Sequence, residues 1–347
     1  MTDAYLALED GRTVEARARA PGRTRGELVF TTAYTGYEES LTDPSYEEQI
    51  LTFSYPLIGN YGVREERFES DRVHPRGVVA RELTEDVAEW LASEGVPAVD
   101  ELDTRDLVTG VREQGAMKCG IAAGADATAA DAAAELAECK AMSEHVDIGS
   151  QVSVSEPVTH NPEGDGPTVA LVDCGAKGSI AASLVERGAT VERIPYDATA
   201  TDVEAIGPDV LFISNGPGDP ENYGAAASLV DEYVGDVPLA GICLGQQVIA
   251  NALGGGTEKM EFGHRGVNQP VRDLRSDQVV MTTQNHGYTV TESGELDVTQ
   301  INVNDDTPEG LESDELEVIT RQYHPEANPG PHDTLGFFDD VIAMVDR

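Results

Sequence analysis

The chain has 347 residues, enough for about two domains. Acidic residues outnumber basic ones 64 to 23, a formal net charge of −41. Such a charge repels nucleic acid and anionic membrane and argues against both as partners.

No stretch reaches the roughly 18 uninterrupted apolar residues of a membrane span. The N-terminus lacks a basic-then-apolar signal pattern, so a soluble cytoplasmic protein is expected. Lysine occurs only at Lys118, Lys140, Lys177 and Lys259. The acid is spread along the chain, which sets it apart from a disordered acidic tail. An acidic, lysine-poor surface of this kind resembles halophilic proteins, in which concentrated salt screens the self-repulsion.

In chain order, AYLALEDG reads as a short strand ending in a turn at Asp10-Gly11, and GELVFTTAYTG (26–36) as a second strand. QILTFSYP and GVVAREL add two more. Helices follow at 84–95, with Thr84 as N-cap and Gly95 as stop, at 104–115, ended by Gly115, and at 131–142. These elements make a mixed β and α module over residues 1–147. A polar stretch rich in Ser, Pro and Gly reads as a linker over 148–167.

From 168 to 347 strand and helix patterns alternate. Strands are expected at 168–175, 190–197, 209–220 and 237–245, the third running into a Gly-Pro loop. Helices are expected at 178–188, in ENYGAAASLVDEYVG and in QQVIANALGGG. That alternation predicts an α/β domain with a parallel sheet covered on both faces. Ligands bind such sheets at the carboxyl ends of strands, where the loops 173–177, 214–220 and 241–247 fall.

The four cysteines, Cys119, Cys139, Cys174 and Cys243, show no zinc-site spacing. Each is by default a small buried apolar residue. Cys243 differs, because Gly241-Ile242-Cys243-Leu244-Gly245 follows an apolar strand and opens a helix. This is the thiol form of the strand–turn–helix elbow that lifts a nucleophile above a sheet. The helix N-terminus favours a thiolate, and the Leu244 N–H is placed to bind an oxyanion.

A thiol needs a base, and the base needs an orienter. In TRQYHPEANPG, His324 and Glu326 flank Pro325 and can lie on one side of an extended segment. Taken alone, that tripeptide is an ordinary surface turn; beside the elbow it supplies the two missing roles. In SNGPGDP, Gly216 and Gly218 let the backbone approach a ligand closely. QNHGY offers Asn285 and backbone groups to a polar substrate, although alone it reads as a turn, with His286 structural.

GICLGQQ, HPE, SNGPGDP and QNHGY, in one chain, resemble the class I, triad-type glutamine amidotransferases. LALEDG, the run TGYEESLTDPSYEEQI, YPLIGNYG and VREQGAMKCG resemble the N-terminal domain of carbamoyl phosphate synthetase small subunits, over about residues 4–123. The resemblance implies flavodoxin-like layers in the C-terminal domain. It implies that L-glutamine is hydrolysed through a γ-glutamyl thioester on Cys243. His324 would take the thiol proton and pass it to the leaving ammonia, and Glu326 would orient His324. The N–H groups of Gly216 and Leu244 would form the oxyanion hole. Glutamine contacts would fall on Ser45, Gly216, Gly218, Leu244, Gln247, Asn285, Gly287 and Tyr288.

Ammonia would pass to a separate large subunit, forming a heterodimer. That partner would hold the ATP, divalent metal and bicarbonate chemistry and serve arginine and pyrimidine biosynthesis. No cofactor or metal is expected on this chain, which lacks a Walker motif. Gln246 stands where family members often have His, Tyr288 where Phe is frequent, and Tyr323 where a small residue or Phe is common. An amidotransferase of another synthetase, making anthranilate or GMP, and a non-catalytic scaffold are the alternatives.

Overall fold

The structure is a computed structural model and describes residues 3–345. It divides into two compact units, Met1–His145 with Glu261–Gly266, and Val146–Met260 with Val267–Arg347.

The first unit carries strands β1 (Ala4–Leu8), β2 (Thr13–Ala20), β3 (Gly22–Thr31), β4 (Gln49–Phe53), β5 (Leu57–Ile58), β6 (Gly77–Val79), β7 (Glu82–Leu83), β8 (Ala98–Asp100) and β9 (Met117–Ala123). Its helices are α1 (Tyr37–Leu41), α2 (Glu85–Ser93), α3 (Thr104–Gln114) and α4 (Ala129–Ala137). Among the described residues seven strands close a barrel in the order β1-β2-β8-β6-β4-β3-β9. The remaining two, β5 and β7, pair in parallel. The apolar run in β3 serves two cores because alternate side chains point to opposite faces. Leu28 and Phe30 join Leu6, Leu8 and Ile121, together with Leu107 and Val111 of α3. Val29 joins Leu51 and Val78, together with Val87 and Leu91 of α2.

The second unit opens with α5 (Gly149–Val152) and β10 (Val158–His160), inside the stretch that composition reads as a linker. β10 is the outermost strand of a sheet and largely exposed, which is why its composition is polar. Then come β11 (Thr168–Asp173), α6 (Gly178–Val185), β12 (Thr190–Pro195), α7 (Ala200–Ile206), β13 (Val210–Ile213), α8 (Gly224–Tyr233), β14 (Leu239–Ile242) and α9 (Leu244–Ala252). They are followed by β15 (Gly256–Asp273), β16 (Val279–Glu292), β17 (Asp297–Asn302), β18 (Pro308–Ser313), β19 (Val318–Arg321) and α10 (Gly336–Ala343).

Ten strands form one sheet among the described residues, in the order β10-β12-β11-β13-β14-β19-β18-β17-β15-β16. Its centre, β12-β11-β13-β14-β19, is parallel. The far wing continues antiparallel through β18, β17 and β15. Val169, Leu171 and Phe212 pack against Ile180 and Leu184 of α6 and Phe337, Phe338 and Val341 of α10. α9 lies against β13 and β14 and packs with α8.

Several local expectations need adjustment. β3 begins at Gly22 and ends at Thr31, so 32–36 lie outside it. GVVAREL divides into β6 and β7. Thr84 holds the N-cap position of α2, but its side chain makes no capping bond. QNHGY is no turn; it lies within β16.

Candidate active site

β14 delivers the chain to Cys243, and α9 begins one residue later. Cys243 sits at φ 54 and ψ −105, a region that side chains other than glycine avoid. Strain of this kind costs about 1–3 kcal/mol and persists only where the surroundings impose it. Here they do. The Cys243 N–H donates to the Arg321 carbonyl at 2.7 Å, tying the elbow to the end of β19. A Cβ at Gly245 would stand 2.1 Å from the Ile213 carbonyl, so the first turn of α9 packs on β13 only because that residue has no side chain.

His324 follows β19, and its N–H donates to the Thr283 carbonyl of β16 at 2.8 Å. Its Nδ1 is 2.6 Å from Glu326 Oε1. Its Nε2 is buried and makes no hydrogen bond among the described residues, while the nearby Cys243 is among the groups that raise the imidazole's pKa. The Cys243 sulfur also lies 3.6 Å from the Asn285 carbonyl of β16. The structure therefore brings Cys243, His324 and Glu326 into one buried cluster.

Lys177 completes the cluster. Its Nζ donates to Glu326 Oε1 at 3.1 Å and to the Ala327 carbonyl at 2.6 Å, from a position only 2% exposed. The turn ahead of it is set by Asp173, which accepts from the N–H groups of Gly175 and Ala176 and is paired with Arg193. Sequence reasoning passed over Lys177, because nothing in GAKGS links it to a glutamate 149 residues away.

Burial works against charge on both members of the His324–Glu326 pair. For His324 the Glu326 charge and hydrogen bond, with the nearby Cys243 sulfur, outweigh it, and the imidazolium is pushed up to about 10. For Glu326 the Lys177 and His324 charges outweigh it, and the carboxyl is held down to about 2. His324, Glu326 and Lys177 thus place alternating charges side by side in a dry interior.

Gly216 and Gly218 lie in the loop after β13. A Cβ at Gly216 would meet the Cys174 carbonyl at 2.1 Å. Ser214 Oγ accepts from the Cys174 N–H, and the Tyr223 hydroxyl donates to the Pro217 carbonyl, so this loop is fixed at both ends. Leu244 opens α9, and its N–H lies at the helix end whose donors have no intrahelical acceptor.

Gln247 is buried and donates from its amide to the Tyr288 carbonyl at 2.9 Å and to Gln322 Oε1 at 3.0 Å. Its donors are therefore engaged within the protein. Asn285, Gly287 and Tyr288 lie on β16. The His286 ring nitrogens bond the Tyr288 carbonyl and Gln284 Oε1 on the same strand. Gln246, in the first turn of α9, accepts from the Thr320 hydroxyl and donates to the Pro308 carbonyl. Tyr323 donates its hydroxyl to Gln300. Ser45 belongs to the first unit, in the turn Pro44–Tyr46, where its N–H donates to Asp43 Oδ1 at 2.9 Å.

The family model of class-I glutamine amidotransferases matches residues 170–344, the region that carries the elbow and the His324–Glu326 pair. A second model, the CPSase domain of the carbamoyl-phosphate synthase small chain, matches residues 6–121. The carbamoyl phosphate synthase small chain of Halobacterium salinarum is 71% identical, over 100% of this chain and 98% of the relative. Those of Archaeoglobus fulgidus and Methanocaldococcus jannaschii are 44% and 41% identical, each over 99% of this chain and 98% and 99% of theirs. The chain belongs to the family of carbamoyl phosphate synthase small chains and is a glutamine amidotransferase. Among the described residues no helix is long and apolar enough to cross a membrane.

Proposed function

We propose that Cys243, its thiol proton taken by His324, attacks the carboxamide carbon of L-glutamine. The bond to sulfur forms as the tetrahedral oxygen is met by the N–H groups of Leu244 and Gly216. The C–N bond then breaks as the proton held by His324 passes to the leaving nitrogen, releasing ammonia. Water, deprotonated by His324, hydrolyses the γ-glutamyl thioester to glutamate. Glu326 keeps the imidazole in register. Ser45, Gly218, Gln247, Asn285, Gly287 and Tyr288 contact the substrate; for Gln247 the contact uses its carbonyl oxygen, since its amide donors are engaged.

The observation that carries this reading is the buried Cys243–His324–Glu326 array at a strained elbow. Ammonia passes to a large, ATP- and metal-dependent subunit that makes carbamoyl phosphate for arginine and pyrimidine synthesis. The chain itself carries no cofactor. The acidic composition and the Halobacterium relative support a protein that works in concentrated salt.

The test is Cys243→Ala in the complex, purified at high salt with its partner identified by mass spectrometry. Glutamine-dependent synthesis should be lost and synthesis from added ammonia retained. Loss of both activities, or an anthranilate- or GMP-forming partner, would overturn the assignment. A thiol-directed glutamine analogue should label Cys243, and its failure to do so would revive the scaffold reading.

A further inference from the structure

The first unit holds a serine–histidine–glutamate arrangement. His74 is buried, with Nε2 2.8 Å from Ser70 Oγ and Nδ1 3.0 Å from Glu47 Oε2. The distances are those of a hydrolytic triad, but the serine hydroxyl is engaged by the backbone. Ser70 Oγ lies 2.7 Å from the Thr42 carbonyl and 3.2 Å from the Arg72 carbonyl, both of which can only accept. A serine engaged with two backbone carbonyls ties chain segments together.

The arrangement holds a loop instead. Ser70 grips Thr42, before Ser45, and His74 and Arg72 grip Glu47, after it. Further bonds run along the same two segments. The Glu69 N–H donates to Thr42 Oγ1, the His74 N–H to the Leu41 carbonyl, and the Arg76 N–H to the Gln49 carbonyl. Glu47 also bridges to Pro75. Between the two grips the turn closes on itself through Tyr46 N–H to Asp43 O and Glu47 N–H to Pro44 O. Burial works against the Glu47 charge, and the His74 hydrogen bond with the Arg72 and Arg76 charges outweighs it, holding the carboxyl below its usual range.

We propose that Ser70, His74 and Glu47 form a brace that fixes the position of Ser45, making His74 a positioning residue for glutamine affinity. The proposal rests on the reading that Ser45 contacts glutamine. A loop free to wander lowers the fraction of molecules ready to bind, so its cost falls on KM rather than on the chemical step.

The experiment compares Ser45→Ala, His74→Ala, their double variant, Ser70→Ala and His74→Asn, each in the purified complex at high salt. His74→Ala should raise KM for glutamine about tenfold, with kcat within about threefold and ammonia-dependent synthesis unchanged. Ser70→Ala, which removes a single hydroxyl and leaves the His74–Glu47 bond, should raise KM about threefold. His74→Asn, which keeps a donor near the Nδ1 position, should recover part of the loss. The double variant should be no worse than the larger single, because both changes act through one loop.

The brace is overturned if Ser45→Ala raises KM and neither His74→Ala nor Ser70→Ala does, or if the double variant is fully additive. It is also overturned if kcat falls in step with the unfolding temperature while KM stays fixed. If Ser45→Ala itself leaves KM unchanged, the Ser45 contact fails and the brace fails with it. The Cys243→Ala result would still stand for the thiol chemistry.

Discussion

Lys177→Met isolates what the buried ammonium does for Glu326. The two charges are 3.1 Å apart, and both side chains are almost wholly inaccessible. At an effective dielectric of about 20 their attraction is on the order of 5 kcal/mol. Removing one partner of such a pair leaves the other unbalanced and costs about 3–5 kcal/mol. Methionine keeps the length and bulk, so little of that cost is cavity. For a unit of this size the unfolding midpoint should fall by on the order of 10 °C. Because Lys177 is the strongest influence lowering the Glu326 carboxyl, that group should also protonate at a higher pH. The acid limb of the glutaminase pH profile should therefore move up. Thermal unfolding in concentrated salt is the assay, since bulk salt screens a buried pair only weakly. The control is Lys177→Met with Glu326→Gln, which removes both charges and should recover most of the stability but not the activity. A single-variant cost below about 1 kcal/mol, or a double variant as unstable as the two singles summed, would refute the reasoning.

Three further outcomes follow. Gly216→Ala should abolish glutaminase activity while ammonia-dependent synthesis persists, because its Cβ would meet the Cys174 carbonyl at 2.1 Å and displace the loop; full activity would show that the loop is not held as described. The Glu326 contribution to stability should be present above its ordinary value of 4.5 and be lost as pH falls through about 2. The His324 contribution should be present below 6.5 and be lost as pH rises through about 10, so the difference in unfolding free energy between wild type and His324→Leu should peak between about 4.5 and 6.5. Lowering salt from molar to about 0.1 M lengthens the screening distance from about 3 to about 10 Å. With a net charge of −41 the unfolding midpoint should then drop steeply, and a midpoint independent of salt would count against the halophilic reading.

The elbow was legible because its constraint is local. A glycine on each side of Cys243, an apolar strand before it and a helix after it are all within reach of a short window. The barrel was not legible. β2 meets β8, and β3 meets β9, through pairings roughly 80 to 100 residues apart in the chain, and no local pattern encodes closure. β16 was misread for a different reason. Its Thr282, Gln284, Asn285 and His286 are polar yet buried, bonded to neighbours on β15 and along β16, so the strand lacks the apolar alternation that marks one. Lys177 was missed because its meaning lies wholly in the partner that folding brings to it.

The scarcity of lysine gives the buried ammonium a use as a reporter. Lys140 and Lys259 are exposed and Lys118 is half-buried, whereas Lys177 is sealed in the second unit. An amine-acylating reagent will mark the first three in the native protein. It can reach Lys177 only when the segment around Glu326 opens. The modified mass of the peptide bearing Lys177, followed over time, therefore serves as a clock for active-site opening, with the other lysines as the internal standard.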